Sequence, residues 1–365
     1  MYLILGAGIS GVCTAFYLSQ LDPESEIVVV DSEGCVAGCA SGKAGGFLAR
    51  DWPRSQLSRK SFDLHAELAS TLEGPTKWLY RRVDTYSANL VDDTQADDKS
   101  SNSTLDWIHA ATKPSKIGST TNTAQVHPRL FCEALFARSK ASLLHASVCD
   151  LVASDGVATG VTVRDNDGQM RTINASHVVV ALGPWCDYLV REKWGIPIRE
   201  VGGQIGHSIV FQSDSQHPIP AHCLFTEMNK MEGPEVYPRS DGSIYMCGGG
   251  SSLGDESSID DLLPASPALV KPSERAISKL MQLSDSLFGS NRMKDTVVKQ
   301  ACFLPVSEKG ALIGRIAGFS NLYIGTGNAV WGILNGPATG LALAELILYG
   351  ESRCVGLSRY NPMEK

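Results

Sequence analysis

Charged and aromatic residues are scarce in this 365-residue chain, with Asp, Glu, Lys and Arg at 19% and Phe, Trp and Tyr at 7%. Basic residues are not in surplus. A formal net charge of -7 argues against a nucleic-acid binder, which needs a basic face. No apolar run approaches the roughly 18 residues of a membrane span, and no internal repeat suggests a solenoid. The first strand is expected at Tyr2, which leaves no room for a charged leader and an apolar segment of roughly 7–15 residues. The ten cysteines are therefore expected to be reduced and mostly buried. Cys35 and Cys39 lack a second Cys/His pair at zinc-site spacing, so no metal is expected. The expected compartment is cytoplasmic, where the sequons at Asn102 and Asn174 carry no meaning.

What the chain does have is glycine, 35 residues of it, and its first turn is glycine-rich. LILGAGISG (3–11) places Gly6, Gly8 and Gly11 in a G-x-G-x-x-G pattern after a short apolar strand and before a helix. The run 27–30 is β-branched and apolar throughout, as a parallel strand covered on both faces should be. Asp31 closes that strand 20 residues after Gly11, where an acid accepts hydrogen bonds from ribose hydroxyls. The β-α-β context favours dinucleotide binding over a merely structural glycine turn.

Further along, 88–104 is polar, acidic and without periodicity, which reads as a solvated loop. Segments 143–152 and 157–164 read as strands, the latter ending in a DNDG hairpin turn at 165–168. Residues 177–182 read as another buried strand. Segments 205–211, 235–239 and 243–247 suggest a mainly antiparallel sheet, 267–288 a mostly helical stretch, and 322–325 a strand that leads to a glycine turn and a helix over 337–349.

Four more stretches carry a family resemblance: GCASGKAGGFLARDW (38–52), VVVALGPWCDYL (178–189), YPRSDGSIYMCGG (237–249) and LYIGTGNAVWGILNGPATGLALAELI (322–347). In this order the chain resembles the D-amino-acid oxidase/glycine oxidase superfamily of FAD-dependent oxidoreductases. The match spans most of the chain apart from about 88–125 and much of 250–298. It is closest in form to a fungal branch that includes a yeast protein linked to endosomal recycling.

The resemblance implies an α/β fold with a Rossmann-like FAD-binding domain assembled from 1–87, 127–195 and 299–365. An inserted antiparallel-sheet α+β substrate domain would cover 196–298, with 88–126 as a polar insertion. For FAD it implies that Gly6, Gly8, Ile9, Ser10 and Gly11 approach the pyrophosphate, while Asp31 and Ser32 hold the adenosine ribose. Ala40, Ser41, Gly42, Lys43, Gly45 and Gly46 match the loop along the pyrophosphate and flavin, with Ser41 and Lys43 as donors. Val148 matches the position whose backbone pairs with adenine, and Ala181, Gly183 and Trp185 match the next strand end. Gly327, Asn328, Trp331, Gly332 and Ile333 match the loop under the flavin pyrimidine, where N–H groups and a helix start at about Pro337 stabilise negative charge. Trp331 also reads as ordinary packing.

Substrate residues are less clear. Glycine oxidases resemble 300–314 but carry an arginine near Cys302 or Phe303 to clamp the substrate carboxylate, and no Arg lies between Met293 and Gly314. Arg239 is a fallback clamp, although YPR-SDG reads more simply as a salt bridge from Arg239 to Asp241. In the sarcosine oxidase branch a cysteine near Cys302 carries the flavin covalently; a packed thiol is the simpler reading in a chain with nine others. His207 and Tyr245 are further catalytic candidates on strands, with Tyr245 and Met246 pointing to opposite faces. His127, in a VHPR turn, reads as a helix cap. The implied function is FAD-dependent oxidation of a C–N bond in an amine or amino-acid-like substrate, with oxygen reduced to peroxide. The alternative is a flavoprotein with structural FAD that binds partners in endosomal trafficking; the resemblance also implies a peripheral association with late endosomes.

Overall fold

The computed structural model describes residues 1–90, 105, 107, 108, 111–213, 219–228, 231–248, 263–288 and 294–363. In chain order, β1 (Tyr2–Leu5), α1 (Ile9–Leu21) and β2 (Ile27–Asp31) form the opening β-α-β unit, followed by α2 (Ala40–Lys43), β3 (Phe47–Ala49), α3 (Gln56–Thr71) and α4 (Gly74–Lys77). Next come β4 (Arg81–Arg82), β5 (Asp84–Leu90), β6 (Ala111–Gly118), β7 (Thr123–Gln125), α5 (Pro128–Ser139), β8 (Ser142–Ser154), β9 (Val157–Asp165), β10 (Met170–Asn174) and β11 (His177–Val180). The second half contains β12 (Gly202–Gln212), β13 (His222–Met228), β14 (Met231–Pro238), β15 (Ser243–Gly248), α6 (Glu274–Phe288) and β16 (Lys294–Val306). It closes with β17 (Leu312–Arg315), β18 (Leu322–Thr326) and α7 (Gly332–Tyr349).

An eight-stranded sheet runs β10-β9-β8-β2-β1-β11-β18-β17. Its centre is parallel: β1 pairs with both β2 and β11, and β11 with β18. These strands are apolar except at end residues such as Asp31 and His177, because α1 and α7 cover one face and the β8–β9 hairpin with residues 186–201 the other. Helices α1 and α7 pack so closely that a Cβ at Gly340 would lie 2.4 Å from the Cys13 carbonyl carbon, so glycine is what permits the approach. The DNDG turn is the β9–β10 hairpin, with Gly168 at φ 80°.

A seven-stranded sheet runs β16-β12-β15-β14-β13-β5-β6 and is antiparallel except for β13–β5. Amphipathic α6 buries Ile277, Leu280 and Leu287 against Ile209, Phe211 and Met246 on one face. The opposite face presents Tyr237, Tyr245 and Cys223 toward Phe47 of the nucleotide-side chain segment.

Three stretches differ from the sequence expectation. Residues 88–90 end β5 and 111–118 form β6, so part of the expected polar insertion is sheet; 91–104 lie outside the described residues. As the outermost strand of its sheet, β6 carries Pro114 and Lys116, residue types that protect an edge, and therefore lacks an apolar signature. Residues 299–306, expected with the FAD domain, pair with β12 and belong to the seven-stranded sheet. Helix α6 begins at Glu274, just past Pro272, and 267–269 form a separate 3-10 turn.

Candidate functional site

A cleft opens at the C-terminal ends of the parallel strands, where an α/β sheet binds its ligand. It encloses about 1380 Å³, mouth included, and runs from Asp31 and Val148 to Asn328 and Ile333.

Gly6 sits at φ 106°, donates its N–H to Val30 O at 2.7 Å, and would place a Cβ 2.4 Å from Ala181 O. Gly11 would place one 2.0 Å from Gly6 O, so it shapes the turn without lining the cleft. Gly8 faces the cleft, its nearest neighbour for a Cβ being Ser41 Oγ at 3.3 Å. That hydroxyl accepts the Ile9 N–H at 2.9 Å and so ties the second loop to the first. The Asp31 carboxylate accepts N–H groups from Ala7 at 2.8 Å and Glu33 at 2.9 Å. Burial pushes its pKa up, and the two N–H bonds oppose that shift.

Among the sequence candidates, Gly6, Gly8, Ile9, Ser10, Asp31, Ser32, Ala40, Ser41, Val148, Ala181, Gly183, Trp185, Asn328, Gly332 and Ile333 meet at this cleft. The others stand behind its walls. Gly42, Gly45 and Gly46 are packed against Ala37 O, the Tyr237 ring and Val126 O. Gly327 packs on Leu312, and Trp331 against the main core. Lys43 turns away from the cleft, and its Nζ donates to Ala301 O at 3.0 Å.

Helix α7 starts at Gly332, five residues before the expected Pro337. Pro337 has no N–H, so the Ile333 carbonyl lacks its helical donor. His65 Nε2 supplies one from α3 at 2.9 Å. Ser61 Oγ accepts the Ala338 N–H at 3.0 Å, and Ser58 Oγ donates to Asn335 Oδ1 at 2.9 Å. Asn335 Nδ2 in turn donates to Asn328 Oδ1 at 3.0 Å, which fixes a cleft residue. Ser58, Ser61 and His65 lie at helical spacing on one face of α3, yet sequence reasoning missed them because their partners are far away in the chain. Burial lowers the His65 pKa to about 4, so the ring is neutral.

The substrate candidates are dispersed. His207 Nε2 accepts the Ser273 N–H at 3.0 Å, just before α6, and does not line the cleft. Tyr245 stacks on Tyr237 at 5.9 Å, behind Gly45. Arg239 lies 5.6 Å over the Tyr245 ring and donates to Ala44 O at 3.3 Å. It makes no ion pair with Asp241, whose Oδ1 accepts the Ser243 N–H and hydroxyl instead. Cys302 is buried beside Lys43, and burial raises its thiol pKa to about 11, while Phe303 next to it lines the cleft. His127 caps α5, its Nδ1 accepting the Leu130 N–H at 3.4 Å. The wall at Ala265–Pro267 had no sequence signal; Trp185 Nε1 anchors it through Pro264 O at 2.8 Å.

The residues present fit FAD. The N-cap residues Gly8 and Trp331 make no side-chain cap, and although Ser41 Oγ takes the Ile9 N–H, the starts of α1 and α7 both line the cleft, which connects them to the acid at its far end. Among the described lining residues Asp31 is the one charged side chain; Cys39 and Tyr188 are the other titratable groups. No cluster of metal-ligating residues occurs among the described residues.

Comparison with known proteins agrees with this geometry. The FAD dependent oxidoreductase family (DAO) matches residues 1–346. An oxidoreductase of Schizosaccharomyces pombe is 28% identical over 99% of this chain and 97% of its own length. An oxidoreductase of Saccharomyces cerevisiae is 24% identical over 99% and 94%. Among solved structures, glycine oxidase from Geobacillus kaustophilus superposes with a TM-score of 0.75 at 18% identity, covering 100% of this chain and 98% of that one. Iminodiacetate oxidase from Chelativorans gives 0.74 at 20%, covering 100% and 99%. At such identities the structural likeness speaks for the fold.

Proposed function

Because this chain belongs to the FAD dependent oxidoreductase (DAO) family, we propose that it oxidises a C–N bond of an amine or amino-acid-like substrate. The observation that carries the reading is the cleft itself, which joins an acid, a glycine turn and the starts of two helices. Bound there, FAD would supply a two-electron acceptor for the hydride on the carbon beside nitrogen, with oxygen as the final acceptor and hydrogen peroxide as its product.

The chain's own residues bind and orient. Asp31 would accept from the ribose hydroxyls, and the turn at Gly6–Gly8 with the start of α1 would face the pyrophosphate. The start of α7 and the Asn328 loop would hold the ring and favour negative charge on it. His65, Ser58 and Asn335 keep that loop in place.

No Lys, Arg, His or Glu lines the cleft among the described residues, so the proposal assigns no protein base. The substrate amine then enters neutral, and its own pKa sets the alkaline rise of activity. Among the described lining residues no guanidinium is placed to select for a carboxylate.

The test is peroxide release from a panel of primary and secondary amines, each paired with its α-carboxylated counterpart. Oxidation of at least one pair, with the carboxylate changing kcat/KM by less than tenfold, supports the reading. A protein that holds FAD yet produces peroxide from none of them contradicts it.

A further inference from the structure

A second cavity lies apart from the FAD cleft, at the end of the seven-stranded sheet where the β14–β15 turn meets β4. It encloses about 260 Å³, room enough for a small organic acid or a phosphate. Arg81, Arg239 and Asp241 are its charged lining residues, joined by Gln212, Ser213 and Ser240.

The two arginines are held by neutral groups. Arg81 donates from Nε to Gln125 Oε1 at 3.2 Å and from Nη2 to Pro238 O. Arg239, 8% exposed, donates from Nη2 to Ala44 O, and its Nε has no hydrogen-bond partner. Neither makes an ion pair among the described residues, and one oxygen of Asp241 is taken up by Ser243. Burying a guanidinium without a paired anion is costly, and here burial lowers the pKa of both. With one carboxylate against two guanidiniums, the lining keeps one positive charge.

We propose that this cavity binds a small oxyanion, a carboxylate or a phosphate, at the Arg81 and Arg239 guanidinium groups. Planar guanidinium forks match two oxygens of such a group. Arg239 also holds Ala44 O, and Ala44 lines the FAD cleft, so the site touches the cleft wall through one side chain.

The holoprotein, with FAD filling the cleft, is titrated calorimetrically with inorganic phosphate and separately with acetate, ionic strength being held constant with sodium chloride. Saturable binding of one anion per chain is expected, weakened at least tenfold by Arg81→Gln and by Ser240→Asp. Ser240 is exposed, so its substitution tests the site even where Arg81→Gln does not fold. Tighter phosphate binding identifies a phosphorylated ligand, and tighter acetate binding a carboxylate. Absence of saturable heat from both anions, or binding that Ser240→Asp leaves unchanged, overturns the proposal.

Discussion

His65 Nε2 donates to the Ile333 carbonyl at 2.9 Å, replacing the helical hydrogen bond that Pro337 cannot make. One helix thus completes the first turn of another, at the point where that turn forms the cleft wall. Burial keeps the ring neutral, with a folded pKa of about 4 against roughly 6.5 when unfolded.

That difference makes stability depend on pH. The depressed folded pKa means that the unfolded chain takes up the proton first, so stability is full above about pH 6.5 and falls as pH drops toward 4. Between pH 7.5 and 5 the His65 contribution is a loss of about 2 kcal/mol. His127, also lowered to about 4 by burial, acts in the same direction. Urea unfolding at fixed excess FAD should show this slope, and His65→Gln should flatten it by about 2 kcal/mol. An equal slope in both proteins contradicts the assignment.

Lys43 fastens the second loop to β16 through Ala301 O. Lys43→Met should therefore cost about 1.5–3 kcal/mol of stability, the range for a hydrogen bond from a charged donor, while FAD affinity changes by less than threefold. Flavin fluorescence on dilution checks the affinity. A loss of FAD affinity of a hundredfold would place the ammonium on the phosphate instead.

The glycines of the first turn do different work. Gly6→Ala places a Cβ 2.4 Å from Ala181 O in a left-handed conformation, so the variant should be insoluble or lose several kcal/mol. Gly8→Ala meets nothing nearer than Ser41 Oγ at 3.3 Å, so it should fold with stability within about 1 kcal/mol of the parent. Its methyl group would project into the cleft, and FAD retention should fall at least tenfold. Circular dichroism together with the 450 nm absorbance distinguishes the two.

Cys302 sits behind Phe303 with its thiol pKa raised to about 11 by burial, which disfavours the thiolate needed for attachment to flavin. Acid precipitation should release the yellow colour into the supernatant, equally for the parent and for Cys302→Ala. Colour retained in the parent pellet and lost in the variant would show a covalent link.

Local pattern revealed the nucleotide half of the molecule. The uninterrupted apolar runs of β1, β2 and β11 could only be strands covered on both faces, and Asp31 stands at the distance that a β-α-β turn requires. Polar edges hid the rest. The edge strand β6 reads as loop because lysine and proline protect it, and β16 falls in the second sheet through pairing with β12 that no local pattern encodes. At the site, residue identity gave position but not direction. Lys43 matched a phosphate-side loop yet points to a backbone carbonyl, and Asp241 chose Ser243 over Arg239. His65 was invisible because its partner is 268 residues away.

Anaerobic reduction of the bound flavin by an amine is the most direct test of the proposed chemistry. The purified holoprotein should bleach at 450 nm with at least one amine and do so several-fold more slowly when the carbon beside nitrogen carries deuterium. Admission of air should then restore the colour with one peroxide per flavin. Colour that no amine removes, while dithionite bleaches it reversibly, would contradict C–N oxidation and leave FAD a structural role.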